Sequence, residues 1–183
     1  CKGYIYDLNE KFYTGRDLVT YFSGIESYFD FEERVKYANG CFSVIYENGD
    51  DLFSACDSIR SFPLFYRKTQ DGYIISDNAY ELLGKGAEDQ LNDIAVAEFL
   101  ATGYVTGAET LARDIYQLQA GEIIQFRDYG LKRKFFFTYR TPFTTDEDYS
   151  ILRTTGSHIF NHAFRRFTES LGGRTVIVPL SGG

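Results

Sequence analysis

The sequence has no tryptophan and no methionine, and holds only three prolines and three cysteines among 183 residues. Much of the apolar load is therefore carried by 15 tyrosines and 17 phenylalanines, residue types that suit half-buried strands. Cys1, Cys41 and Cys56 form no CxxC pair and no metal-ligand spacing, and their odd number points to a reducing compartment. No apolar run approaches the ~18 residues of a membrane span, and no charged-then-apolar leader is visible. The expected location is the cytoplasm. Positive charge is in short supply, with 19 Lys and Arg against 26 Asp and Glu, a net charge of −7. A chain this acidic has no general attraction for nucleic acid or for an anionic membrane. The basic run LKRKFFF at 131–137 reads as a solvated strand end. Repeats and low-complexity stretches are absent. What remains, 44% apolar and 17% aromatic, is too apolar for disorder and sufficient for a sizeable core.

The element pattern is read from periodicity and turn chemistry. Residues 2–15 alternate around an Asp-Leu-Asn-Glu turn and predict a hairpin. Residues 16–24 have helical spacing up to Gly24. A short helix follows over 30–40, with Asp30 as N-cap and Glu33 three residues on. Strands are predicted at 41–47, 52–57, 63–68 and 73–77, spaced as an antiparallel meander. A short helix at 78–85, capped by Asp77, and a helix at 91–103, capped by Asn92 and packed on the sheet, come next. Two strands, 115–126 and 133–139, flank the turn RDYG. The longest helical pattern spans 144–173 and ends at Gly172-Gly173. The run TVIV near the end, apolar on both faces, predicts a parallel strand over 174–179 that leads into Ser181-Gly182-Gly183. Strands in the middle with helices flanking them indicate an α+β layered sandwich. The expected boundary lies near 140, giving domains 1–140 and 141–183.

Five strings in order carry a resemblance. They are Asn39-Gly40-Cys41-Phe42, then Asp57-Ser58-Ile59-Arg60-Ser61-Phe62-Pro63-Leu64-Phe65-Tyr66, then Ser76-Asp77, then Leu118-Gln119-Ala120-Gly121, and finally Val178-Pro179-Leu180-Ser181-Gly182-Gly183. Together they resemble the asparagine synthetase family from about Asn39 to the end of the chain. The resemblance implies a class II glutamine amidotransferase-like domain with the Ntn-hydrolase-like, four-layer α-β-β-α sandwich. The first helix and strand of an α/β PP-loop synthetase domain would follow it. The implied parent reaction is ATP-dependent amide formation on a carboxylate, with glutamine as nitrogen donor. ATP and Mg would be used by the full-length parent, and this chain alone is expected to hold neither. Ser181, Gly182 and Gly183 would then contact the nucleotide, since a strand end followed by small residues lets backbone N–H groups approach phosphates. The implied partners are glutamine and a synthetase domain, in cis or in trans; a homodimer is also open.

Cys1 allows two readings. An N-terminal cysteine can attack a carboxamide with its own α-amine as base. Against this, Cys1 stands only 38 positions before Asn39, much closer than the family places its nucleophile. Arg16 and Asp30 could be offered as substrate-holding groups, but neither sits in a matching motif. Residues 2–7, KGYIYD, also resemble the family's NGEIYN strand, with Lys2 in place of the Asn. On that alignment Cys1 is not the nucleophile and the glutaminase site is degenerate, leaving a scaffold of the β-lactam-synthetase kind. Other groups have plainer readings. His158 and His162 stand four apart on one helix without a third ligand, so no metal site is expected. Cys41 and Cys56 read as small core residues. Asp57 and Arg60 read as a buried ion pair or a turn cap.

Overall fold

A computed structural model describes residues 1–49, 51–84, 91–127, 130–141 and 147–178. The chain divides into two compact units, residues 1–139 and 140–183. Among the described residues, the first contains all the sheet structure. Its larger sheet uses β1 (Lys2–Tyr6), β2 (Phe12–Thr14), β3 (Asn39–Asn48), β4 (Asp51–Cys56), β8 (Glu122–Arg127) and β9 (Gly130–Phe135) in the order β2-β1-β3-β4-β8-β9. The smaller sheet uses β5 (Phe65–Thr69), β6 (Gly72–Ser76) and β7 (Ile115–Gln117) in the order β6-β5-β7. Every pairing is antiparallel.

Strand periodicity divides the larger sheet between two cores. Phe42, Val44, Phe53, Ala55 and Ile123 point to one face. There they meet Leu18 of α1 (Arg16–Tyr21) and Phe31 and Val35 of α2 (Tyr28–Lys36). Cys56, Ile124 and Phe126 point to the other face and pack on Leu64, Tyr66 and Leu118 of the smaller sheet and its flanks. The unit is thus a helical layer, a six-stranded sheet and a three-stranded sheet. The far side of the smaller sheet is covered by a 3-10 turn, Ala79–Leu82, whose Leu82 is buried and whose carbonyl accepts from Arg67 Nη1 at 3.0 Å.

Several expectations change against this frame. The four strands from 41 to 77 do not make one meander. β3-β4 and β5-β6 are separate hairpins in separate sheets, and the turn at 57–64 carries the chain from one to the other. The strand expected at 115–126 is two strands, also in different sheets, divided at Gly121 with φ +68. The helix expected at 30–40 starts at Tyr28, because Ser27, not Asp30, caps it by accepting from Asp30 N at 3.2 Å. The short helix after β6 is a 3-10 turn capped by Asn78 instead of Asp77. Asn92 does cap α3 (Asp93–Thr102), and Gly103 closes it in the left-handed region. This helix is not packed on the sheet as expected. Only Ala95 is buried, while Ile94 and Leu100 stay exposed. Apolar residues surround α3 on all sides instead of forming one stripe, so no single face is specified for docking. Among the described residues the outer helical layer of the four-layer sandwich is therefore reduced to the 3-10 turn.

The second unit contains α4 (Tyr149–Ser170), capped by Asp148, whose side chain accepts from Ser150 N at 2.7 Å. Residues 174–178 form no strand and are exposed. A doubly apolar strand is stable only between paired neighbours, and no described strand pairs with this segment. Ser181, Gly182 and Gly183 lie outside the described residues.

Candidate functional site

The start of β1, the middle of β3 and the end of β6 enclose a cleft of about 380 Å³ between the two sheets. Cys1 and Lys2 enter it from β1, Ser43 and Ile45 from β3, and Ser76 and Asp77 from the end of β6. Cys1 is exposed in this cleft. Next to it, Lys2 Nζ donates to Asp77 Oδ2 at 2.9 Å. That hydrogen bond and the ammonium charge hold the Asp77 carboxyl below the usual carboxylate range. Ser76 Oγ donates to Glu81 Oε2 at 2.6 Å and accepts from Asn78 N at 3.0 Å, which anchors the exit of β6.

Two glycines let β1 lie closely against β3 below this cleft. A Cβ on Gly3 would stand 2.0 Å from the Cys41 carbonyl oxygen, and one on Gly40 would stand 2.2 Å from the Tyr4 carbonyl oxygen. Gly3 also has φ +107, a conformation that L side chains rarely adopt. The adjacent Tyr4 phenol, hydrogen-bonded to Cys41 and partly desolvated, is pushed up to about 12.

The other residues considered from sequence fall elsewhere. Arg16 opens α1 and Asp30 lies in the first turn of α2, so neither lines the cleft. Asn39 and Gly40 are held in the ladder opposite Tyr6 and Ile5. Asp57 is a turn cap and not an ion pair. Its buried carboxylate accepts from Phe42 N at 2.9 Å, Ile59 N at 2.9 Å and Ser61 N at 3.0 Å. Arg60 instead donates to the Gln117 side chain. Cys41 and Cys56 are free thiols, and burial pushes the Cys56 thiol up to about 12. Among the described residues no cluster of three or more His, Cys, Asp or Glu side chains could hold a metal ion, so His158 and His162 gain no third ligand. No described helix is long and apolar enough to cross a membrane. Sequence reasoning did not select Lys2 and Asp77 as a pair. They are 75 positions apart, and only the stacking of the sheet that holds β1 on the sheet that holds β6 brings them together.

The first unit thus stacks two antiparallel sheets, with helices over the larger one. The family profile described as a glutamine amidotransferase domain matches residues 10–137, and the chain belongs to that family. Among solved structures, the glutamine phosphoribosylpyrophosphate amidotransferase from B. subtilis, complexed with ADP and GMP, is similar at 14% identity and a TM-score of 0.39. The match covers 64% of this chain and 21% of that one, so this chain spans about a fifth of that protein's length. No curated protein matches this chain.

Proposed function

We propose that the chain is the amidotransferase-type domain of an ATP-dependent, amide-forming enzyme of the asparagine synthetase kind, and that its glutamine-hydrolysing site is degenerate. The supporting observation is the Lys2–Asp77 pair. Resemblance assigns the Lys2 position to an Asn whose amide would stabilise an oxyanion. Here it holds an ammonium group bound to Asp77 at 2.9 Å. An oxyanion hole needs preorganised donors aimed at the developing charge. A lysine committed to a carboxylate on the opposite sheet is not such a donor. Cys1 lies beside this pair without that support, so it has no working role as a nucleophile. The domain then serves as a scaffold for a synthetase domain in cis or in trans, and ATP and Mg belong to that partner. Ser181, Gly182 and Gly183 remain its proposed contribution to the nucleotide loop. The expected location of the enzyme is the cytoplasm.

A second reading also rests on the cleft. Lys2 and Asp77 are about half exposed, and together they complement the carboxylate and ammonium of free glutamine. If the pair opened to hold glutamine, Cys1 would be a working nucleophile. Glutamate release from glutamine, measured for the protein and for Cys1→Ala, separates the two. Equal background in both supports the scaffold. Release that disappears in Cys1→Ala overturns it in favour of a glutaminase.

A further inference from the structure

A second cavity, of about 510 Å³, opens where the smaller sheet faces β9, and it shares no lining residue with the Cys1 cleft. Its size falls within the range of small-molecule sites, about 300–1,000 Å³. Tyrosines form its floor. Tyr66 and Tyr116 are register partners on β5 and β7, with rings stacked at 5.5 Å and 23°. Tyr73 stands 6.4 Å from Tyr66 at 58°.

The charges around this floor are divided by sign. Arg133 of β9 sits over the Tyr66 ring at 5.7 Å, donates to its hydroxyl and meets the buried Glu122 carboxylate through Nε at 3.4 Å, and Lys68 is an exposed residue of the lining. Arg67 lends only its position, since its guanidinium is bound to Leu82 O on the opposite face of the sheet. Glu109 and Asp114 supply the acidic side. Burial, then these two carboxylates, push the Tyr116 phenol up while Arg133 pulls it down, so both signs act at one ring. Two carboxylates disfavour a phosphate or another simple anion, and Arg133 with Lys68 disfavours a simple cation. A molecule carrying both signs on a flat body satisfies the whole lining.

We propose that this cavity binds a zwitterionic amino acid with a flat side chain, its carboxylate on Arg133 and Lys68, its ammonium on Glu109 and Asp114, and its ring against the half-buried Tyr116. The site is independent of glutamine hydrolysis, and Cys1→Ala is expected to bind unchanged. The test uses protein labelled with 13C at tyrosine, titrated with L-phenylalanine, 3-phenylpropionate and phenethylamine. L-phenylalanine is expected to shift tyrosine ring signals saturably. Each analogue, lacking one charge, is expected to bind about tenfold more weakly, as for one lost charge-assisted hydrogen bond. Glu109→Gln and Lys68→Gln alter exposed side chains outside both cores, and each should weaken L-phenylalanine by a similar factor. Absence of saturation by all three compounds overturns the proposal. So does equal binding of all three, which marks a merely apolar groove, and so does L-phenylalanine affinity unchanged in both variants.

Discussion

Asp57 shows how one buried carboxylate can hold two layers together. It is 1% exposed and satisfies backbone donors from β3 and from its own turn, while its carbonyl accepts from Gly121 N at 2.9 Å. Asp57→Ala strands at least two of these N–H groups out of water. At about 1–3 kcal/mol for each unsatisfied group, we expect a loss of roughly 3 kcal/mol or more in urea unfolding. A loss below 1 kcal/mol, roughly the net value of one ordinary hydrogen bond, would show that water or a shifted turn replaces it. Glu122 presents the opposite case. It is fully buried, accepts from Gln119 N at 2.8 Å, and meets Arg133 Nε at 3.4 Å in an ion contact that leaves Oε1 without a hydrogen bond. Burial lifts its carboxyl above the ordinary 4.5. The folded state therefore holds this proton more tightly than the unfolded chain does. The stability it contributes is fully present below 4.5 and is lost as the pH rises through the folded value. Glu122→Gln retains an acceptor for Gln119 and removes the titration. Urea midpoints taken near pH 4.5 and near neutrality should fall with pH in the native protein by more than in the variant. Equal changes would show that Arg133 offsets the burial.

At the scale of elements, the packing separates helices that hold the fold from helices that do not. Phe31 of α2 is fully buried against Phe53, with ring centroids 5.3 Å apart. Phe31→Ala is expected to cost about 3–5 kcal/mol. On α3, Ile94 is 82% exposed and Leu100 79% exposed. Substituting either by Ser should change stability by no more than about 0.5 kcal/mol. Chemical denaturation of the three variants checks the contrast, and a large effect on α3 would mean that the helix is covered in solution. The same contrast explains what was legible in the sequence. The hairpins β3-β4 and β5-β6 were readable because alternation and turn residues are local signals. Their assignment to different sheets was not, since it depends on the Asp57 turn and on distant Gly121. Gly121 divides β7 from β8 because its backbone turns at φ +68 and a Cβ would stand 2.5 Å from the Phe137 carbonyl oxygen. In sequence it appeared only as an interruption of one apolar run. The pattern of 174–179 was read correctly as apolar, but a strand is a property of its neighbours and none of the described strands pairs with residues 174–178. At the candidate site, Cys1 was visible from its position alone. The Lys2–Asp77 pair that surrounds it depends on the stacking of the sheets.

At the scale of the whole molecule, both cores lie within residues 1–139. A protein ending at Tyr139 should therefore unfold cooperatively with a urea midpoint close to that of the full chain. Loss of the cooperative transition would show that the second unit is required for the first to fold. The family assignment rests on this first unit, and the functional reading depends on what its cleft does with Cys1. The most direct measurement is intact-mass analysis after exposure to a reactive glutamine analogue, with and without excess glutamine, followed by mapping of the modified residue. We expect no adduct on Cys1 that glutamine protects against, because Lys2 is bound to Asp77 and is not held as an oxyanion donor. A stoichiometric Cys1 adduct that glutamine suppresses would contradict this and establish Cys1 as a working glutaminase nucleophile.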